Sequence, residues 1–111
     1  MKTVIKNISF TRGDTYTFKV TLKNSNLDIT GAILSVKDNT EKIVFVKNLE
    51  NGIVKEDNSF IITIKPVDTE ELNPTIQYSY DLQLDYGIDD SFTPVKGLFE
   101  ITWDCTCRNE V

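Results

Sequence analysis

The side chains in this sequence whose types and spacing could support chemistry are a pair of cysteines and a group of aspartates. Cys105 and Cys107 are one residue apart, whereas a closed zinc site needs four ligands, and the chain holds two cysteines and no histidine. A disulfide at this spacing would be strained. We therefore expect free thiols, as in a reducing compartment, with no bound metal and no cofactor.

Asp85, Asp89 and Asp90 carry carboxylates, which are ligands that calcium prefers. Their spacing matches no calcium-loop motif, so we interpret them as solvated loop residues, and ion binding at this loop stays open. A pair of carboxylates for glycoside hydrolysis also stays open, because nothing in the sequence singles out two partners.

One short motif spells a known recognition sequence. Arg12-Gly13-Asp14 is the tripeptide that integrins bind, but it directly precedes a strand-like stretch. Gly13 readily adopts a positive φ, and the three residues together are typical of a turn. We therefore interpret the motif as a turn.

The composition argues against several classes of function. Histidine, the usual acid–base group at neutral pH, is absent, and the formal net charge is -5. An acidic chain lacks the basic surface that nucleic acids require. No apolar run is long enough to cross a membrane, and residues 1–10 lack the apolar segment of a signal peptide. We expect a protein made in the cytoplasm that is not an enzyme, with no nucleic-acid or membrane partner.

The elements that must position these side chains are strands. Residues 76–86 alternate strictly between apolar and polar types, which predicts a central strand of an antiparallel sheet. Further strands are predicted at residues 3–10, 14–24, 32–37, 42–47, 60–64 and 95–104. Turn-forming clusters separate them at residues 12–14, 24–26, 38–40, 51–52 and 57–59, and Asn51-Gly52 is typical of a type I′ hairpin turn.

A single helical turn is predicted before the central strand. Asp68 is expected to be its N-cap, Glu71 the return partner of a capping box, and Pro74 its end. An acidic corner before a tyrosine-bearing strand also occurs in immunoglobulin-like folds, where a tyrosine hydroxyl bonds back to the corner. Tyr78 or Tyr80 could make this bond. The alternative, that both rings only fill the core, stays open.

About seven to eight short strands with one helical turn predict an all-β protein. We expect an immunoglobulin-like antiparallel β-sandwich that forms a single domain over residues 1–111. Alternation places one set of side chains in a core between the two sheets, and this set comprises Tyr16, Phe18, Val20, Leu22, Tyr80, Leu82, Phe99, Ile101 and Trp103.

Residues 42–47 (KIVFVK) form an apolar run between two lysines, which indicates a strand covered on both faces or an edge strand with a partner. Lys42 and Lys47 are expected to oppose uncontrolled pairing at that edge. Aliphatic residues on the parity opposite the core, including Leu98, would form a binding patch if they lay on one face. We expect Val44, Val46 and Ile61 to lie in an interface with another copy or another protein.

Several short motifs together resemble a known family. They are Arg12-Gly13-Asp14-Thr15 at the start of a strand, Leu27-Asp28-Ile29-Thr30-Gly31 before the third strand, Pro66-x-Asp68-Thr69 followed by Leu72-x-Pro74 and Tyr78-x-Tyr80-Asp81-Leu82, and a closing Gly97-x-Phe99-x-Ile101 with Thr106. In these motifs the chain resembles the immunoglobulin-like domains of tailed-phage structural proteins, especially the N-terminal domain of baseplate upper proteins.

The resemblance implies a non-catalytic domain that docks onto other virion proteins. We therefore expect a structural or adaptor protein in the tail, baseplate or neck of a phage or prophage virion, synthesised in the cytoplasm of the bacterial host. We also expect homo-oligomeric packing in the particle, with closed rotational symmetry. The alternative is a free-standing immunoglobulin-like module that binds carbohydrate or a host protein.

Overall fold

The computed structural model describes residues 2–23 and 27–103. In chain order their elements are β1 (Val4–Ile5), β2 (Ile8–Thr11), β3 (Tyr16–Thr21), β4 (Ile29–Lys37), β5 (Ile43–Asn48), β6 (Ile53–Glu56), β7 (Ser59–Ile64), α1 (Pro66–Thr69), β8 (Tyr78–Tyr86) and β9 (Asp90–Thr102). The predicted turn at residues 24–26 and the two cysteines lie outside the described residues.

Two sheets form the fold, and together they confirm the predicted all-β sandwich. In the larger sheet, β9, β8, β4 and β5 are antiparallel neighbours in that order, and β1 and β2 pair with the free side of β9. The smaller sheet has the order β3, β7, β6 and is antiparallel throughout. β8 therefore lies inside the larger sheet between β4 and β9, as its alternation predicted.

The first predicted strand differs from the expectation in two ways. It is divided into β1 and β2 by Lys6 and Asn7, and both parts run parallel to β9 rather than antiparallel. Parallel neighbours need a long crossover connection, and here nearly the whole chain lies between the first and last strands. The alternation of residue types within one strand does not reveal which distant strand pairs with it.

The core lies between the sheets and follows the predicted parity, with one exception. Tyr80, Leu82, Phe99 and Ile101 are buried, and the side chains of β3 pack against them from the smaller sheet, as does that of Leu22 after it. Trp103 was predicted to join them but is 59% exposed. β9 ends one residue earlier, so the alternation carries Trp103 past the end of the sandwich, where the smaller sheet no longer covers it.

The helix begins earlier than predicted. Lys65 is its N-cap, Pro66 occupies the first turn, and the Asp68 carboxylate accepts a hydrogen bond of 2.8 Å from the Lys65 backbone N–H. Asp68 is thus the return partner rather than the cap, and Glu71 lies beyond the helix. The physical reason is that proline is already set for the first helical position, so Pro66 starts the helix.

The turn at Asn51-Gly52 is not a hairpin turn. It connects β5 of the larger sheet to β6 of the smaller one, so the chain crosses between sheets there. The hairpin is instead the predicted turn at Asp57 and Asn58, which joins β6 to β7 and has Asp57 at a φ of 54°. Periodicity predicts strands but does not assign neighbouring strands to the same sheet.

Candidate interaction surfaces

The three residues predicted to form an interface do not lie on one surface. Val46 lies opposite Ser35 on the solvent face of the larger sheet and is 42% exposed. Ile61 belongs to β7, on the solvent face of the smaller sheet and hence on the other side of the sandwich. Val44 is the extra residue of a β-bulge in β5 and packs against the core. A patch containing all three is therefore not formed.

The solvent face of the larger sheet carries Val46 on β5 and Leu98 on β9, with β4 and β8 between them, along with other aliphatic residues. Leu98 pairs with Ser79 of β8, and Ser79 points to the same face of the sheet as Ser35 and Val46. Exposed side chains occupy both borders of this face, with Ile33, Ile43 and Val46 on the β4–β5 side and Ile5 and Leu98 on the β1–β9 side. We call this set the sheet-face patch.

Between the two borders of the sheet-face patch lies a shallow groove of about 360 Å³. Small residues form its floor, namely Ser35, Ser79 and Gly97. Asp81 and Lys96 are cross-strand partners in the same groove and supply charges of opposite sign. The groove can therefore accept polar groups while its borders offer apolar contact.

A second groove, of about 450 Å³, separates the first half of β5 from α1 and the turn after it. We call it the edge groove. Its apolar lining consists of Ile43, Val44, Phe45, Val67 and Leu72, and its charged lining of Asp38, Lys42, Asp68 and Glu71. Val67, on α1, is 69% exposed. β5 pairs with β4 alone among the described strands, so the backbone on its groove side has no strand partner there.

Lys47 was predicted to oppose pairing at the edge of β5, and the structure places its side chain inward rather than in solvent. Its side chain is 4% exposed, and its Nζ lies 2.6 Å from the Asp68 carboxylate. Lys47 pairs in register with Leu34, a core residue, and therefore points inward. The aliphatic part of its side chain occupies the space where a Cβ on Gly52 would lie. Lys47 lies two residues after Phe45 in β5 and so points to the same side of the strand. This shared parity was the signal in the sequence that could have revealed the inward direction of Lys47.

Asp38 is an ionised group on the rim of the edge groove. Its Oδ1 accepts hydrogen bonds from the Thr40 hydroxyl (2.7 Å), the Thr40 backbone N–H (2.8 Å) and the Lys42 backbone N–H (3.0 Å). These bonds, led by that from the Thr40 hydroxyl, hold the pKa of Asp38 below its usual value. Asp38 therefore keeps its negative charge at neutral pH and also shapes the turn between β4 and β5.

Arg12-Gly13-Asp14 forms a turn, as predicted. Gly13 has a φ of 82°, and its N–H donates a 2.9 Å hydrogen bond to the hydroxyl of the fully buried Thr69. The Arg12 guanidinium lies 5.0 Å from the centre of the Trp103 ring, a cation–π contact. The motif thus attaches the start of β3 to α1 and to the end of β9.

The two tyrosines of β8 make different contacts. The hydroxyl of Tyr78 accepts a 2.9 Å hydrogen bond from the Asn73 backbone N–H, so Tyr78 is the residue that bonds back to the corner. The hydroxyl of Tyr80 donates a 2.6 Å bond to the Lys6 carbonyl. Burial, and then the nearby Tyr16, raises the pKa of Tyr80 to about 12.

The acidic residues Asp85, Asp89 and Asp90 lie at the turn between β8 and β9. Asp85 pairs in register with Ser91, and Asp89 and Asp90 are exposed. Within residues 2–23 and 27–103, no group of three or more cysteine or acidic side chains is placed to hold a metal ion. The positions of Cys105 and Cys107 fall outside these ranges.

No family model matches this chain, and no curated protein matches it. Among the described residues, the chain also forms no helix of the length and apolarity needed to traverse a lipid bilayer.

Proposed function

We propose that this chain is a non-catalytic, immunoglobulin-like structural or adaptor protein that binds other proteins. The observation that carries the proposal is the sheet-face patch, in which Val46 and Leu98 lie exposed on one face with the aliphatic side chains of neighbouring strands. Exposed aliphatic side chains on both borders of this face, with a polar groove between them, offer apolar and polar contacts to a partner.

The immunoglobulin-like part of the proposal is supported by two features of the fold. The order β2, β9, β8, β4, β5 in one sheet and β3, β7, β6 in the other agrees with an immunoglobulin strand arrangement, with the first and last strands adjacent. The Tyr78 hydroxyl, bonded to the backbone five positions earlier at Asn73, agrees with the tyrosine corner of such folds.

The setting we propose is a tailed-phage or prophage virion. Its support is the resemblance of the Arg12-Gly13-Asp14-Thr15 turn and of the motifs around α1, β8 and β9 to domains of phage baseplate proteins. The partners would be other virion proteins and further copies of this chain, and the protein would be synthesised in the bacterial host cytoplasm. Tail or capsid genes on either side of its gene would support this setting.

The test of the binding function is assembly in solution. Light scattering over a concentration series, with the chain alone and with candidate tail proteins, should reveal complexes that Val46→Lys weakens. Ile61→Lys is the matched control, because Ile61 lies on the opposite sheet. Both variants should remain folded. A chain that stays monomeric at every concentration and binds no tail protein would contradict the proposal.

The alternative is a free-standing module that binds carbohydrate or a host protein. The groove of the sheet-face patch, which Asp81 and Lys96 line, favours this alternative. Its hydroxyl and charged side chains could hydrogen-bond to sugar hydroxyls. Soluble oligosaccharides titrated against the labelled protein should then shift the amide signals of β8 and β9, and Asp81→Ala should remove these shifts. Secretion or polysaccharide genes beside its gene would favour this alternative.

A further inference from the structure

The turn that carries the chain from the larger sheet to the smaller one ends in Asn51-Gly52, the only place in the sequence where glycine follows asparagine. Two backbone hydrogen bonds between Asn48 and Asn51, of 2.9 and 3.0 Å, close this turn. Asparagine is a thermolabile residue, and a following glycine has no side chain to crowd its reaction. The fold must therefore either restrain or permit a reaction at Asn51-Gly52.

The Asn51 side chain is free to rotate. It is exposed, and its amide makes no hydrogen bond to any of the described residues. The side-chain oxygens of Asn7, Asn48 and Asn73, in contrast, each accept a hydrogen bond from a backbone N–H. Those three side chains are held in place, whereas the Cγ of Asn51 can approach the backbone nitrogen of the next residue.

The backbone nitrogen of Gly52 is the group that this Cγ meets. Most backbone N–H groups of a folded domain are paired, but within residues 2–23 and 27–103 the Gly52 N–H donates no hydrogen bond. Asn39 provides the comparison. It is also exposed, yet the N–H of the next residue, Thr40, donates a 2.8 Å bond to Asp38 Oδ1. A bonded N–H must leave its acceptor before its nitrogen can react, and the Gly52 nitrogen has no such bond to break.

We infer that Asn51-Gly52 is a site of spontaneous modification in the folded protein, at which Asn51 converts to aspartate and isoaspartate. The Gly52 nitrogen attacks the Asn51 Cγ and forms an N–Cγ bond. The Cγ–Nδ2 bond breaks, and Nδ2 takes the proton of the attacking nitrogen and leaves as ammonia. One water then opens the cyclic imide at either of its two carbonyls, which gives aspartate or isoaspartate with one new carboxylate. The reaction consumes water alone.

The attack requires the Asn51–Gly52 peptide to turn, and the fold permits this by a local opening. Turning the peptide releases the hydrogen bond from the Asn48 N–H to the Asn51 carbonyl. This bond lies in a turn whose residues Leu49, Glu50 and Asn51 are exposed, and such regions open at far lower cost than the whole domain. The reaction can therefore proceed without global unfolding.

The isoaspartate product should loosen the crossing between the sheets. Its main chain runs through the former side chain and so contains one additional carbon between residues 51 and 52. Gly52 is held closely, because its carbonyl accepts a 2.8 Å bond from the Thr63 N–H and the Lys47 side chain fills the place of a Cβ on it. An additional carbon displaces Gly52 from both contacts, whereas the aspartate product only adds a charge at an exposed position.

The test is a time course of the folded chain at mildly alkaline pH, well below its melting temperature. Peptide mapping by mass spectrometry should show Asn51 converting many times faster than Asn39, with isoaspartate among the products. A parallel incubation in urea measures the reactivity of the unfolded chain at the same two positions.

Two variants separate the reaction from its effect on the fold. Asn51→Gln should stay intact, because its longer side chain must close a larger ring. Asn51→Asp carries the normally linked product and should melt with the native chain. The isoaspartate form, separated from the incubated protein by ion exchange, should melt at a lower temperature than either.

Three results would contradict the inference, and none of them depends on the proposed binding function. If Asn51 stays intact in the folded chain, the turn protects it, whatever happens in urea. Equal rates at Asn51 and Asn39 in the folded chain would show that the unpaired Gly52 N–H does not select the site. An isoaspartate form that melts with the native chain would show that the crossing tolerates the additional carbon.

Discussion

The two edges of the larger sheet are built differently. At one edge, β1 and β2 are short and are separated at Lys6 and Asn7. The Lys6 carbonyl accepts a hydrogen bond from the Tyr80 hydroxyl, and the Asn7 Oδ1 accepts one from the Leu98 N–H. At the other edge, β5 is six residues long and offers an uncharged apolar stretch beside a groove. One edge is closed by interruption and side-chain bonds, and the other carries a β-bulge at Val44 and the inward-pointing Lys47.

The difference shows that edge protection depends on where a charge points and not only on whether it is present. Lys47 is on the edge strand in sequence, yet its ammonium lies inside and stabilises α1 through Asp68. An inward-pointing charge on an edge strand is itself one way to oppose strand addition. β5 therefore combines an ion pair beneath it with a bulge at Val44 that interrupts its edge.

The largest effect should come from removing the charge that attaches the β5 edge to α1. Asp68→Asn leaves the Lys47 ammonium buried without a counter-charge, which should cost about 3–5 kcal/mol of unfolding free energy. Urea denaturation measures this loss. The double variant Lys47→Met with Asp68→Asn should recover most of it, because no unpaired charge then remains buried. A loss as large in the double variant would mean that packing, not charge, connects β5 to α1.

The next effect should disturb both edges alike. Leu82 is fully buried in β8, the strand between β4 and β9. Leu82→Ala should cost about 2–5 kcal/mol, since it removes core contacts and leaves a cavity. Hydrogen exchange should then speed up in β2 and in β5 together. The control Asp81→Ala, on the solvent face, should change stability by less than about 0.5 kcal/mol. A loss below about 1 kcal/mol for Leu82→Ala would contradict the assignment of Leu82 to the core face.

A smaller effect should be confined to the closed edge. A Cβ on Gly97 would collide with the Lys6 carbonyl, so Gly97→Ala must push the segment between β1 and β2 away from β9. We expect a cost of about 1–3 kcal/mol and faster hydrogen exchange in β1 and β2, with β5 unchanged. Ser79→Ala, at an exposed position on the solvent face of the same sheet, is the control. Equal changes at both edges would show that the two edges are coupled.

The smallest effect concerns the hydroxyl that closes this edge. Tyr80→Phe removes the bond to the Lys6 carbonyl and should cost about 1 kcal/mol near neutral pH. Because burial raises the pKa of Tyr80 to about 12, above the value of about 10 for an unfolded tyrosine, the unfolded state ionises first. The native chain should therefore lose stability between about pH 10 and pH 12.

Thermal melts of both proteins across this range provide the measurement. The stability difference between the native chain and Tyr80→Phe should be constant below about pH 10 and should shrink above it. Other tyrosines and lysines also titrate there, so the difference between the two proteins, rather than either melt alone, is the relevant quantity. A difference that does not change with pH would mean that Tyr80 ionises equally in the folded and unfolded chains.

Much of the fold follows from local pattern. The alternation in residues 76–86 predicted the interior strand β8 and the burial of Tyr80 and Leu82, because side chains in a strand point to opposite faces with a period of two. The turns at Gly13 and at Asp57 were also predicted, since each depends on a few consecutive residues, but the hairpin was assigned to Asn51-Gly52 instead. These properties need no knowledge of distant partners.

The candidate site was only partly predicted for the same physical reason. The apolar run of β5 indicated either a strand covered on both faces or an edge strand, and the structure makes it an edge strand. Val46 and Ile61 lie on opposite sides of the sandwich, since the chain changes sheets at Gly52. Which sheet a strand joins depends on contacts between residues distant in sequence, and the period of one strand does not contain that information.

The sequence by itself determined the all-β class, most of the strands and most of the residues that face the core, but it did not predict β6. Only the tertiary structure decided that β1 and β2 pair with β9, that Trp103 extends past the sandwich, and that Lys47 turns inward to Asp68. Each of these outcomes joins segments far apart in the chain. Burial of a charge or exposure of a ring depends on what the rest of the fold places beside it, and that arrangement exists only after the sheets have assembled.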